Sequence, residues 1–302
     1  MNKKLLLCVG LVAASVSTAS AETKSWTAIK GKMPANPMVA LSVDVSALRS
    51  GIKAFDTTIN TLVESEGDVK QAVGLIKQIC SIDATKAISD ISAGLDKDGK
   101  GIVALGLDGL DEKKLVDCAN KILAQDKAGA KVSSKVTKGV TEYDFAGQGK
   151  IYAAWLGGSV VAISTDPEHR EGLDVALKGK AATGDLDKLI KTASANTAWA
   201  VGIPGEKEVK QGWGGVTLAA GKVTGTVHII PGDAKHGADM LAQVKTQLPQ
   251  GIAEMEKSGA KNLAKALKGL KVGGTAAEIT FDGSMGADDF GAVIPEAMQL
   301  MK

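Results

Sequence analysis

The sequence predicts an α+β protein: two similar β-α-β-β-α-β units, each an antiparallel sheet covered by helices, after a cleaved signal peptide. Three observations carry this expectation. Short runs that alternate apolar and polar residues, as from Met38 to Val45, mark half-buried strands. Between them lie stretches with apolar residues three and four apart, as at Leu48, Ile52, Phe55, Ile59 and Leu62, which mark helices with one buried stripe. The segment Ile88 to Ile122 also aligns with Gly214 to Gln247, strand on strand, turn on turn and helix on helix, which reads as an internal duplication.

Residues 1–21 read as the leader. Lys3 and Lys4 precede an apolar run from Leu5 to Val16, and Ala19-Ser20-Ala21 places small residues where a signal peptidase cuts. The run is too short to span a bilayer as a stable helix. Cys8 sits behind Leu7 and close to the lysines, which argues against a lipid anchor. The expected divisions are a signal peptide at 1–21, a first α+β unit at 22–180 and a second at 181–302. The protein is expected to be exported, either periplasmic or secreted.

Composition narrows the function. Two of the 36 basic residues belong to the leader, so the remainder equal the 34 acidic residues. A chain so balanced has no net field to draw it to nucleic acid or anionic lipid. Aromatics are 3% of the chain, too few for stacking platforms or for the girdles of a membrane barrel. Hydrophobic residues at 44% are enough for an aliphatic, alanine-rich core. The longest uncharged stretch beyond the leader, Ile151 to Ser164, contains Gly157-Gly158 and reads as a hairpin, so no transmembrane segment is expected.

In chain order, a strand at Met38 to Val45 leads into the helical stripe above. A second stripe, Val69, Val73, Ile76 and Cys80, follows a break at Gly67. Ile88 to Leu95 and Ile102 to Leu107 form a hairpin about Asp98-Gly99. Asp111 opens a helix that turns Leu115, Val116, Cys118, Ala119 and Ile122 inward. Strands follow near Val140 to Phe145, Ile151 to Leu156 and Val160 to Ser164. Thr165 and Glu168 have capping-box spacing around Pro167 and predict a helix from about Asp166. Lys178 to Gly184 reads as a connector. Beyond it come a strand at Trp199 to Ile203, a short helix, a hairpin from Gly215 to Ile230 and a helix from Ala238 to Met255 interrupted around Pro249. A short helix at Leu263, Leu267 and Leu270, a strand at Thr275 to Phe281 and a helix from Phe290 to Met301 disturbed at Pro295 complete the chain.

Cys80 and Cys118 are the two cysteines outside the leader. In an oxidising compartment an even count favours a disulfide, which would contribute about 3 to 4 kcal/mol by the loop-entropy relation; two buried thiols are the alternative. No Cys-x-x-Cys points to redox catalysis.

Several chemical motifs fail on inspection. Gly94 to Lys100 has phosphate-loop spacing, but Gly101 replaces the hydroxyl and a strand follows. Asp96 and Asp98 suggest a calcium loop, yet Gly94 holds the first ligand position and Leu105 the last. His228 and His236 are placed to meet across Pro231-Gly232 with Asp233 or Asp239, but they lack a metal-ligand spacing. Gly158-Ser159-Val160 lacks the second glycine of a nucleophile elbow. Asp288-Asp289, Glu64 and Glu66 read as helix-end charges. The sequence therefore predicts no catalytic residue, no metal and no cofactor.

The strand Val39-Ala40-Leu41-Ser42-Val43-Asp44, the run Tyr152-Ala153-Ala154-Trp155-Leu156-Gly157-Gly158-Ser159-Val160-Val161-Ala162-Ile163-Ser164 and the ending Leu267-Lys268-Gly269-Leu270-Lys271-Val272 resemble exported bacterial proteins grouped as a domain of unknown function. The resemblance implies a duplicated α+β fold and an envelope location, and it carries over no catalytic residue. The expectation is a non-enzymatic binding or scaffold protein that meets another envelope protein through the exposed sheet face or the long helices. The alternative is a carrier of an apolar small molecule such as a lipid, for which alanine-rich helices and Met285, Met298 and Met301 are the hints.

Overall fold

The computed structural model describes residues 22–299, apart from 66, 127, 128, 148 and 207. Its elements run α1 (Lys24–Ile29), β1 (Val39–Asp44), α2 (Val45–Gly51), α3 (Phe55–Ser65), α4 (Gly67–Cys80), α5 (Ala84–Ala87), β2 (Ile88–Leu95), β3 (Gly101–Leu107), α6 (Glu112–Asp126), β4 (Ser133–Thr137), β5 (Val140–Asp144), β6 (Lys150–Trp155) and β7 (Val160–Ser164). The chain continues through α7 (Arg170–Leu177), α8 (Gly184–Ala193), β8 (Ala198–Gly202), β9 (Gln211–Ala219), β10 (Lys222–Ile230), α9 (Ala234–Ser258), α10 (Lys261–Lys268), β11 (Lys271–Thr275), β12 (Glu278–Gly286) and α11 (Ala287–Gln299). The fold is α+β, and its strand pairs are antiparallel. The expected leader lies outside the described residues.

Two compact units emerge, and neither is one continuous stretch of sequence. The first comprises 22–46 and 59–183; the second comprises 47–58 and 184–299. In the first, the strand order is β1-β2-β3-β7-β6-β5-β4. The Asp98-Gly99 turn joins β2 to β3 as the sequence predicts. Asp96 Oδ1 accepts the N–H groups of Asp98 and Lys100 at 2.9 Å, and Gly99 takes φ +72. Of the supposed calcium loop, Asp96 is thus occupied in shaping a turn, and the Asp98 carboxylate pairs with Lys97 at 2.8 Å.

In the second unit the order is β11-β12-β10-β9-β8. The helices α9, α10 and α11 pack around Ile252, Leu263, Ala264, Leu267, Val293 and Ala297. Residues 47–58 seat here as well: a Cβ on Gly291 would meet Ala54 and Ile52, and one on Gly51 would strike Leu218. In both units a hairpin is followed by a helix, β2-β3-α6 in one and β9-β10-α9 in the other.

Several expected elements differ. The helix after β7 begins at Arg170, with His169 at its N-cap, because Thr165 spends its hydroxyl on the Gly101 N–H instead of closing a capping box. The helix α9 runs unbroken from Ala234 through Pro249, and α11 likewise passes through Pro295. No helix forms between β8 and β9 among the described residues. The elements α1, α5, α8, β4 and β11 arise without having been predicted. Of the α6 residues expected to face inward, Cys118 is buried, whereas Leu115, Val116, Ala119 and Ile122 are half-buried.

Candidate binding surface

The sheet of the first unit has two faces of opposite character, and their coverage reverses what alternation alone suggests. On one face the register sets Leu41, Ala93, Val103 and Ile163 in one row and Val43, Ile91, Leu105, Val161 and Trp155 in the next. Except for Ala93, every one of these apolar side chains is only half-buried. The opposite face carries Ala40, Gly94, Ile102 and Ser164, then Ser42, Ser92, Ala104, Ala162 and Ala154, then Asp90, Gly106 and Val160. This small and polar face is the buried one, with Ser92, Ala104 and Ala162 at 0% exposure.

The reason lies in α1 and α7, which pack on β2, β3 and β7. Met33, just beyond α1, sits where a Cβ on Gly94 would be, and Gly172 of α7 lies against Ser164. A helix can approach so closely only over glycine, alanine and serine. The approach is secured by hydrogen bonds. Ser25 Oγ and Ser92 Oγ share one at 2.8 Å, Ser92 donates to Ser42 at 2.8 Å, and Thr23 Oγ1 lies 2.8 Å from Ser42 Oγ. Asp90 accepts the Ser25 N–H and the Ser89 hydroxyl, both at 2.7 Å. Thr23 caps α1 by accepting from Trp26 N at 3.2 Å. Every buried polar side chain in this network therefore has a partner, as burial requires.

Beside the apolar face stands a fixed aromatic group. Tyr143 donates to Glu112 Oε1 at 2.6 Å and accepts from Trp155 Nε1 at 2.8 Å. Burial, reinforced by the bond to Glu112, pushes the Tyr143 hydroxyl up to about 12. Asp111, Glu112, Lys113, Val116, Ser134, Trp155 and Gly158 border an open cleft of about 540 Å³.

The predicted pair Cys80 and Cys118 is a disulfide with Cα atoms 5.3 Å apart. It ties α4 to α6. No residue of α4 is buried, and Val69 and Leu75 are 47% and 38% exposed.

The histidines stay apart in function. His236 Nδ1 pairs with Asp233 at 2.8 Å, the residue that also caps α9. His228 stacks on Trp213 with ring centroids 4.3 Å apart and pairs with Glu278 at 2.6 Å. Among the described residues no group of three or more His, Cys, Asp or Glu side chains is placed to hold a metal. Asp288 and Asp289 make ion pairs with Lys53 and Lys265 at 3.3 and 3.2 Å. Gly157 and Gly158 take positive φ between β6 and β7, so Ser159 lies on a hairpin turn. Glu66, Met301 and the side chain of Met298 lie outside the described residues. No described helix is long and apolar enough to cross a membrane.

Sequence reasoning expects an exposed sheet face as the binding surface, but not that the less buried side of the first unit's sheet is the aliphatic one. The signal was present in the alternation of larger aliphatic residues with mostly Ser, Ala and Gly along β1, β2, β3 and β7, with Ile102 and Val160 as exceptions, but nothing local says which side the helices choose.

No family model matches this chain, and no curated protein does. Among solved structures it is similar to crystal form III of TP0453, with TM-score 0.49 and 12% identity over 92% of this chain and 99% of that one. It is also similar to form IV, with TM-score 0.45 and 10% identity over 90% and 99% of the two chains. Form I gives TM-score 0.43 and 10% identity over 92% and 98%. Likeness at this level carries no argument about function.

Proposed function

We propose that this is an exported cell-envelope protein that acts by binding another envelope protein, without catalysis, through the aliphatic face of the first unit. The observation that carries the reading is the inverted sheet: Leu41, Val43, Ile91, Val103, Leu105, Val161 and Ile163 are only partly buried, while serines and alanines fill the fully buried, helix-covered side. A contiguous apolar surface without charged residues in its rows suits an apolar partner surface. The Cys80–Cys118 bridge supports an oxidising compartment, consistent with reading residues 1–21 as an export signal. The repeated order of hairpin then helix supports an ancestral duplication. The proposal places the protein among exported proteins of the kind its β6-β7 run resembles.

The test is a photo-crosslinking residue placed at Val43 or Leu105 in cells of the native host. The expected result is a discrete protein adduct that a residue placed at exposed Lys97 does not give. Adducts with lipid alone would favour the carrier of an apolar ligand instead. The absence of any adduct at both positions, with a monomeric protein, would remove the binding role from this face.

A further inference from the structure

We propose that the Cys80–Cys118 disulfide is a redox clasp: it holds α4 onto α6, and its reduction releases α4 while the sheet of the first unit stays folded. The inference stands apart from the binding role proposed above. It rests on how poorly α4 is otherwise held. The helix has 14 residues and none is buried. Its apolar stripe, Val69, Val73, Ile76 and Cys80, with Leu75 beside it, is partly or largely in solvent. Gly74 interrupts its middle with nothing within 4 Å of where a side chain would begin. Its main packing is on α5 and α6. One ion pair near its end, Lys77 with Asp83 at 3.7 Å, is mostly exposed and adds little.

A helix of this length is marginal in water without tertiary packing. The covalent tie is therefore what keeps it in place. Cys118 supplies the anchored end, since it is 6% exposed on α6, whereas Cys80 ends the exposed helix. The chain just after Cys80 turns sharply, with Ser81 at φ +58, before α5 leads into β2. This turn is a natural hinge.

The chemistry is dithiol exchange. A thiolate of a dithiol reductant attacks one sulfur of the bridge to form a mixed disulfide. Its second thiol then displaces the protein sulfur, so that Cys80 and Cys118 gain two electrons and two protons and the reductant leaves as its own disulfide. Release uncovers the partly buried Val73 and Ile76 of α4 together with the α6 stripe Leu115, Cys118 and Ile122.

Amide hydrogen exchange on the full mature protein tests this in three states: oxidised, reduced with dithiothreitol, and the Cys80→Ser/Cys118→Ser variant. The expected result is that peptides across 67–80 lose protection about tenfold or more in the second and third states, while 88–95, 101–107 and 160–164 keep theirs. Trypsin cleavage at Lys70 and Lys77 should accelerate in step. Unchanged protection of 67–80 would overturn the proposal. So would loss of protection throughout the first unit, since the bridge would then be a global staple.

Discussion

The backbone N–H of Ser25 donates to the carboxylate of Asp90, 65 residues further along, at 2.7 Å, and through this contact the first turn of α1 is fixed on β2. The carboxylate lies at a helix N-terminus, where negative charge is favoured, and it is 4% exposed. Gly106 leaves the room for it: a Cβ there would lie 2.1 Å from Asp90 Oδ2.

Asp90→Ala is therefore expected to lower the unfolding free energy by about 2 to 3 kcal/mol, the usual loss for buried charge-assisted hydrogen bonds. Gly106→Ala should be costly in the wild type and close to neutral in the Asp90→Ala background, because the clashing group is gone. Denaturant unfolding of the four proteins in this cycle checks the coupling, and simple additivity would contradict it.

The inverted sheet predicts an unusual contrast. Ile102 is at 0% exposure on the small, helix-covered face, whereas its neighbour-but-two Leu105 is half-buried on the aliphatic one. Ile102→Ala should cost about 2 to 5 kcal/mol, and Leu105→Ala about 1 kcal/mol, although leucine is as large. Thermal and urea unfolding would expose the error if the order were reversed.

Tyr143 makes a prediction in alkali. Its hydroxyl is raised from 10.0 to about 12 by burial and by Glu112, so the folded state holds the proton more tightly than the unfolded chain. The corresponding stability is fully present below the unfolded value near 10 and is lost as pH rises through about 12. Titration of phenolate absorbance should show one of the two tyrosines ionising late, and Tyr143→Phe should abolish that phase. Ionisation near the ordinary value in the folded protein would refute the burial argument.

Pro249 sits in the body of a 25-residue helix that does not end there. Proline removes a backbone donor and crowds the carbonyl four residues before it, here that of Lys245. Pro249→Ala is expected to stabilise the protein by about 1 to 3 kcal/mol, read as a higher midpoint of thermal unfolding. A lower midpoint would mean that the proline shapes the packing around Ile252.

Much of the fold was legible where local chemistry is self-sufficient. The Asp98-Gly99 turn, the Asp111 cap that accepts from Lys114 N at 2.8 Å, and the alternation of β1, β2, β3 and β7 all appear where the residues dictate. The misses share a cause in distant partners. Thr165 looked like a helix cap until Gly101, 64 residues away, claimed its hydroxyl. The six residues of α1 are too few to announce themselves and depend on Asp90 and Ser92. The strands β4 and β11 are short and lysine-bearing, with little alternation to read. Asn196 illustrates the same limit in the second unit, where its side chain binds Thr217 and Ala193 and fills the space above Gly215. The coverage of the sheet was hidden because serine and alanine on a strand look like a solvent side unless the helix above them is known.

The excursion of residues 47–58 bears on how this protein can be dissected. A gene cut at residue 183 would strand that segment on the wrong fragment, away from Leu218 and Gly291, and leave the later fragment with a bare patch where Ile52 belongs. Neither half is a ready-made building block. A faithful separation has to reroute the chain, by closing 46 onto 59 with a short linker and supplying 47–58 to the other piece.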